Sequence, residues 1–178
     1  MYLWTGIDVE SQLPQLREAI RRIDQGIGFA HSISDSSLPL HISLKMSFPM
    51  PDDRAGDVLD RLEGFYRGEA PLRADVRGIE REQTIVWLRM ADSDALRGLH
   101  DRLLAMLRAE YGVEPHEYDL DYIFHTTLFM DDDREKITRA YAAIKDIPVP
   151  KALRLNRFVI GASPTGALGT YRVLRVVE

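Results

Sequence analysis

Two tetrapeptides, His41-Ile42-Ser43-Leu44 and His125-Thr126-Thr127-Leu128, each place a hydroxyl two residues after a histidine, 84 positions apart in a chain of 178 residues. Each lies in a run of extended-favouring residues. Side chains in a strand alternate between faces, so His41 should share a face with Ser43 and His125 with Thr127, while Ile42, Leu44 and Leu128 point the other way into a core. Imidazole titrates near neutral pH. Two rings flanking one small site can therefore divide proton transfer between them: a neutral ring takes a proton from a nucleophile and a charged ring gives one to a leaving oxygen. The hydroxyls of Ser43 and Thr127 can donate to the non-bridging oxygens of a phosphate held between the rings, where charge grows in the transition state. This scheme requires no metal and no organic cofactor.

The elements that must position these residues are legible from hydrophobic period and punctuation. Tyr2 to Val9 reads as an opening strand, followed by a helix on Leu13, Leu16, Ile20 and Ile23, with Ser11 as its cap, Pro14 in its first turn and Gly26 and Gly28 at its end. His31 to Leu40 reads as an exposed loop leading into the first motif strand, roughly Leu40 to Phe48. Asp52 and Asp53 cap a second helix on Val58, Leu59, Leu62, Phe65 and Tyr66, closed by Gly68 and Pro71. Strands follow from Leu72 to about Glu80 and from Thr84 to Met90. The order then begins again: a helix capped by Asp92 and Ser93 and ended by Gly112, the second motif strand within Tyr118 to Met130, and a helix opened by Asp131-Asp132-Asp133. Leu153 to Ile160 and Thr170 to Val177 read as closing strands around the turn Ser163-Pro164-Thr165-Gly166. The order strand, helix, motif strand, helix, strand thus occurs twice. Trp4 and Trp87 stand 83 apart, close to the spacing of the histidines, so the chain reads as internally duplicated, with approximate repeats over 1–82 and 83–178. Packed face to face, such halves would bring His41, Ser43, His125 and Thr127 together from opposite walls.

Composition narrows the class. With 45% hydrophobic residues the chain can bury a sizeable core as one domain, 1–178, or as two joined lobes. A net charge of −5 argues against a long, phosphate-neutralising nucleic-acid footprint and leaves room for a single phosphodiester or a short oligonucleotide end. The chain has no cysteine, which removes disulfides, thiolate metal sites and cysteine nucleophiles together. No stretch approaches the roughly 20 apolar residues of a membrane span. The expectation is a soluble, cytoplasmic protein.

The paired H-x-[S/T]-L tetrapeptides at His41 and His125, one in each half, resemble those of the 2H phosphoesterase superfamily, which includes the bacterial 2′-5′ RNA ligase-like proteins and cyclic nucleotide phosphodiesterases. The resemblance extends through the strand order over nearly the whole chain. It implies an α+β, bilobal fold with two antiparallel sheets facing each other across a water-filled cleft and helices on the outer faces. It also implies metal-independent hydrolysis of 2′,3′-cyclic or 2′-5′ phosphodiesters in nucleotides or short RNA ends, with catalysis by His41 and His125 and phosphate binding by Ser43 and Thr127. The first motif carries Ser where Thr is commoner, which keeps the hydroxyl.

Other residues near the motifs have plainer readings beside functional ones. Lys45 shares the sequence parity of His41 and Tyr122 precedes His125, so both are candidate substrate contacts, with Tyr122 of opposite parity to its histidine. Phe48 reads as core, His100 as a packing residue within a helix, His116 as a turn residue, and His31 carries no assigned role. Arg73, Arg77, Arg154, Arg157, Arg172 and Arg175 read as solvated strand faces or as a basic cleft wall. Asp131 to Asp133 read as a helix start with favourable dipole charge in preference to a metal site. Two rivals accompany the phosphodiesterase reading: a non-enzymatic nucleotide-binding or RNA-binding module that keeps the cleft, and a metal-dependent hydrolase built from the histidines and nearby aspartates.

Overall fold

Alternation of apolar and polar residues builds two four-stranded antiparallel sheets in the computed structural model, which describes residues 1–29 and 37–178. His31 and most of the expected loop around it lie outside the described residues. The first sheet has the order β2 (His41–Pro49), β1 (Tyr2–Asp8), β7 (Phe158–Ser163), β8 (Arg172–Val177). The second has the order β5 (His125–Met130), β4 (Ile85–Met90), β3 (Leu72–Arg81), β6 (Ala152–Leu155). The two orders match position for position: a motif strand at one edge, the opening strand of the same half beside it, and then a strand contributed by the other half. β3 leaves the first half to pair with β4, and β7 leaves the second half to pair with β1. β7 and β3, third in the two sheet orders, are thus each contributed by the opposite half of the chain.

The helices cover the faces turned away from the motifs. α2 (Asp52–Arg67) packs on β7 and β8 and lies beside α3 (Asp94–Tyr111), to which it is tied by a bidentate Arg61–Glu110 pair. α5 (Arg134–Ile144) packs on β3, β4 and β5, and α1 (Pro14–Ile27) packs on α5. Fully buried Leu3, Ile7, Ile42 and Leu44 of the first sheet and Val86, Leu88 and Leu128 of the second belong to one continuous apolar cluster. Among the described residues no helix is long and apolar enough to cross a membrane.

Helix signals held where a side chain can reach the backbone. Ser93 accepts from the amide of Leu96 at the start of α3, Gly112 ends it in the left-handed region, and Asp133 accepts from the amides of Glu135 and Lys136 at the start of α5. Two expected caps are displaced. Ser11 lies in a turn of 3-10 helix over Glu10–Gln12, so Leu13 precedes α1 and Pro14 opens it. Pro51 precedes α2; Asp52 and Asp53 occupy its first turn, where Asp52 accepts from the N-terminal ammonium at 2.7 Å.

Two expected strands are shorter than the segments read for them. Leu153 to Ile160 divides into β6 and β7, which belong to different sheets, and the break falls at Asn156-Arg157, where the Arg157 carbonyl accepts from the Asp8 amide at 2.8 Å. Ahead of His125, residues Glu117–Leu120 form a short helix, α4, in place of strand. His116 and Asp119 cap it reciprocally: the His116 ring accepts from the Tyr118 amide, and the Asp119 carboxylate accepts from the His116 amide at 2.7 Å.

Candidate active site

The two motif strands are the edges along which the sheets meet: β2 and β5 pack against each other. On each, the histidine and the hydroxyl two residues later are half-buried, while the residues between and after them are buried. The period-2 reading of both tetrapeptides therefore holds. The ladders set Asp8 opposite His41 and Arg89 opposite His125.

Each imidazole is tethered in the same way. His41 donates from Nδ1 to the carbonyl of Pro39 at 2.7 Å, and His125 donates from Nδ1 to the carbonyl of Ile123 at 2.7 Å. A carbonyl can only accept, so both neutral rings carry their proton on Nδ1 and keep a lone pair on Nε2. Each ring also lies against a tryptophan: Trp4 meets His41 edge-on at 4.4 Å between centroids, and Trp87 meets His125 at 4.7 Å. Burial lowers the pKa of His41 to about 4. The Pro39 carbonyl works against that shift, a charge on His125 adds to it, and Asp8 opposes it. Burial lowers His125 as well, opposed by its bond to Ile123. The free protein near neutral pH thus holds two uncharged imidazoles, close enough for a charge on one to disfavour a charge on the other.

The hydroxyls are held differently in the two halves. Ser43 Oγ accepts from Trp4 Nε1 at 3.0 Å and lies near the hydroxyl of Tyr122. Tyr122 is buried, and burial pushes its phenol well above the usual range, so it stays protonated. Its ring stacks on His100 at 4.9 Å and faces His125 at 6.5 Å. Tyr122 therefore links both motifs from within the protein. It precedes β5, so strand parity does not govern it. Thr127 lies directly opposite Trp87.

Lys45 does not reach the face that His41 occupies. A bulge between the pairs Gly6↔Ser43 and Thr5↔Lys45 inserts one extra residue in β2 and reverses the alternation after Leu44. Lys45 thereby turns inward with Thr5 and is 1% exposed, and its ammonium meets Asp119 Oδ2 at 2.6 Å. Asp119 accepts also from the amides of Met46 and His116. This buried pair joins the first motif strand to the segment that leads into the second.

A groove of about 290 Å³ adjoins His41, floored by Leu38, Pro39, Val159, Val173 and Val176 and edged by Asp8 and Arg157, which pair at 2.9 Å. Of the arginines considered from sequence, Arg157 alone edges this groove; Arg175 turns to Asp60 and Glu63 on α2, and Arg73 pairs with Asp75. Among the described residues no three His, Asp or Glu side chains are gathered as a metal ion would need, and Asp131 accepts from the Asp133 amide beside the start of α5.

A family model described as the 2′-5′ RNA ligase superfamily matches residues 3–163. The chain belongs to that superfamily. Its fold is similar to that of solved structures at low identity: TT0787 of Thermus thermophilus (17% identity, TM-score 0.58, 99% of this chain and 97% of that one), and LigT of E. coli, solved with 3′-AMP (16%, 0.54, 98% and 95%) and with NADP+ (18%, 0.55, 98% and 95%). No curated protein matches it in sequence.

Four residues of this superfamily member escaped the sequence reading as parts of the candidate site. The tryptophans had a visible signal, since their spacing nearly equals that of the histidines and an indole carries one donor on a large apolar body. Asp119 had none, because its partner lies 74 residues away and a bulge delivers it. His100, read as a packing residue, is 1% exposed, stacks on Tyr122 and meets Phe124 edge-on.

Proposed function

We propose that this superfamily member is a metal-independent phosphodiesterase that hydrolyses 2′,3′-cyclic or 2′-5′ phosphodiester bonds in nucleotides or short RNA ends. One observation carries the reading: two electrostatically coupled imidazoles, each with Nδ1 tethered to a carbonyl and Nε2 unprotonated, stand on the adjoining edges of two sheets. An anionic phosphate bound between them favours the charged form of one ring, so on substrate binding the pair takes up from solvent the proton it lacks when free. The charged histidine then protonates the departing ribose oxygen while the neutral one removes a proton from the attacking water, in line with that leaving group. Ser43 and Thr127 donate to the equatorial phosphate oxygens. The groove beside His41, with an apolar floor and charged edges, takes the nucleoside next to the scissile phosphate, in keeping with the nucleotides bound to LigT.

Hydrolysis of 2′,3′-cyclic nucleotides and 2′-5′ dinucleotides in the presence of EDTA tests this. His41→Ala and His125→Ala should each lower kcat about 10²- to 10⁴-fold, the usual share of one proton-transferring group. Unchanged turnover in both variants, or loss of wild-type turnover on chelation, refutes the mechanism. Ligand binding without turnover would assign the cleft to recognition alone.

A further inference from the structure

The two indoles behind the histidines differ in one bond. Trp4 Nε1 donates to Ser43 Oγ at 3.0 Å. Trp87, 9% exposed, has its Nε1 shielded from solvent with no hydrogen-bond partner among the described residues. An indole N–H can only donate, and a buried donor left unpaired is costly enough to be rare in native proteins. Trp87 stands directly opposite Thr127 in the β4–β5 ladder, where facing Cβ atoms are about 5 Å apart and an indole ring reaches its neighbour's side chain.

The first half shows what this donor does when paired. A serine hydroxyl has two lone pairs and one proton. Trp4 donates to one of those lone pairs and leaves the Ser43 O–H for a phosphate oxygen. A hydroxyl fixed in this way has its proton aimed before substrate arrives.

We propose that Trp87 is a positioning residue for substrate phosphate: when a phosphate oxygen accepts the Thr127 hydroxyl proton, Thr127 Oγ1 turns a lone pair to Trp87 Nε1 and the bond missing in the free protein forms. The inference rests on the phosphate-binding role given to Thr127 above. Each bond polarises the next, since a hydroxyl that donates to an anion accepts more strongly. The second half thus acquires on binding the hydrogen bond that the first half already has.

The chain contains two tryptophans, so a ¹⁵N-labelled sample gives two indole N–H resonances, which Trp4→Phe assigns. Inorganic phosphate, added in the presence of EDTA, should move the Trp87 resonance downfield and slow its exchange with water, and should move that of Trp4 far less. Thr127→Val should abolish the Trp87 response and Thr127→Ser should keep it. In turnover, Trp87→Phe should lower kcat roughly two- to tenfold, the worth of one net hydrogen bond, in the wild type and have no further effect in Thr127→Val. If the ring signals of His41 and His125 answer to phosphate while the Trp87 indole does not, this inference is overturned and the phosphodiesterase reading stands. If neither histidine answers and both alanine variants retain turnover, the phosphodiesterase reading falls and takes this one with it.

Discussion

Acidification should destabilise the protein through His41, and the size of the effect follows from its environment. The ring's pKa is about 4 in the folded chain against an ordinary value of 6.5. Below pH 6.5 the unfolded chain takes up a proton there that the folded chain refuses, so stability is fully present above that pH and is lost as pH falls from 6.5 toward 4. At about 1.4 kcal/mol per unit, the whole window spans about 3 kcal/mol, of which about 2 kcal/mol is lost by pH 5. His41→Asn removes the titration and keeps an N–H where Nδ1 meets the Pro39 carbonyl. Urea unfolding of both proteins at pH 7.5 and pH 5, followed by tryptophan fluorescence, isolates the term. The wild type should lose about 2 kcal/mol more than the variant between the two pH values. His125 is also lowered by burial, but it is present in both proteins and cancels. Equal losses would show that His41 titrates at its ordinary value, and the claim that its charge is acquired on substrate binding would fail with it.

Two other perturbations test the framework around the site. Lys45→Met should cost about 3–5 kcal/mol by leaving the Asp119 carboxylate buried without its cation, and Lys45→Met/Asp119→Leu should recover most of that in urea unfolding; equal instability of single and double variants would contradict the pairing. Gly161→Ala would place a Cβ 2.9 Å from the Arg172 carbonyl and 3.0 Å from the Trp4 ring, so it should cost about 1–3 kcal/mol and lower kcat by displacing the ring that backs His41, whereas wild-type turnover and stability would show that Trp4 can move freely.

The motif faces were legible because a strand has a period of two and both tetrapeptides lie in unbroken stretches of their strands. Ile42, Leu44 and Leu128 are fully buried, as that period requires. The same rule misplaced Lys45, since the bulge follows Ser43 and nothing in the residue types from Leu44 to Met46 announces it. Helix ends were readable where the cap is a side-chain bond, as at Ser93 and Asp133, and were displaced by a few residues where backbone turns do the capping, as at Leu13 and Pro51. Sheet membership was not legible. Leu153 to Ile160 is rich in strand formers, and the break between its two strands falls at Asn156-Arg157, where Arg157 meets Asp8 from some 150 residues away. Tyr122 was visible as a neighbour of His125, but its closeness to Ser43 depends on how the two motif strands meet.

The exchange of third strands bears directly on how the site works. Each sheet contains a strand from the other half, and the apolar cores behind the two sheets are one cluster. Parting the histidines by moving one sheet as a body would require β2 to leave β5 and would break the Lys45–Asp119 pair and the bond from the Met46 amide to Asp119 as well. Each of these contacts is buried, so an opened state would carry unpaired polar groups and exposed apolar surface at the same time. The separation of the imidazoles is therefore set by the fold before any ligand binds. Acid and base groups that need no reorganisation during reaction are what proton transfer to a leaving oxygen benefits from most. The adjustments left to substrate are local: a proton placed on one ring, and a hydroxyl turned at Thr127.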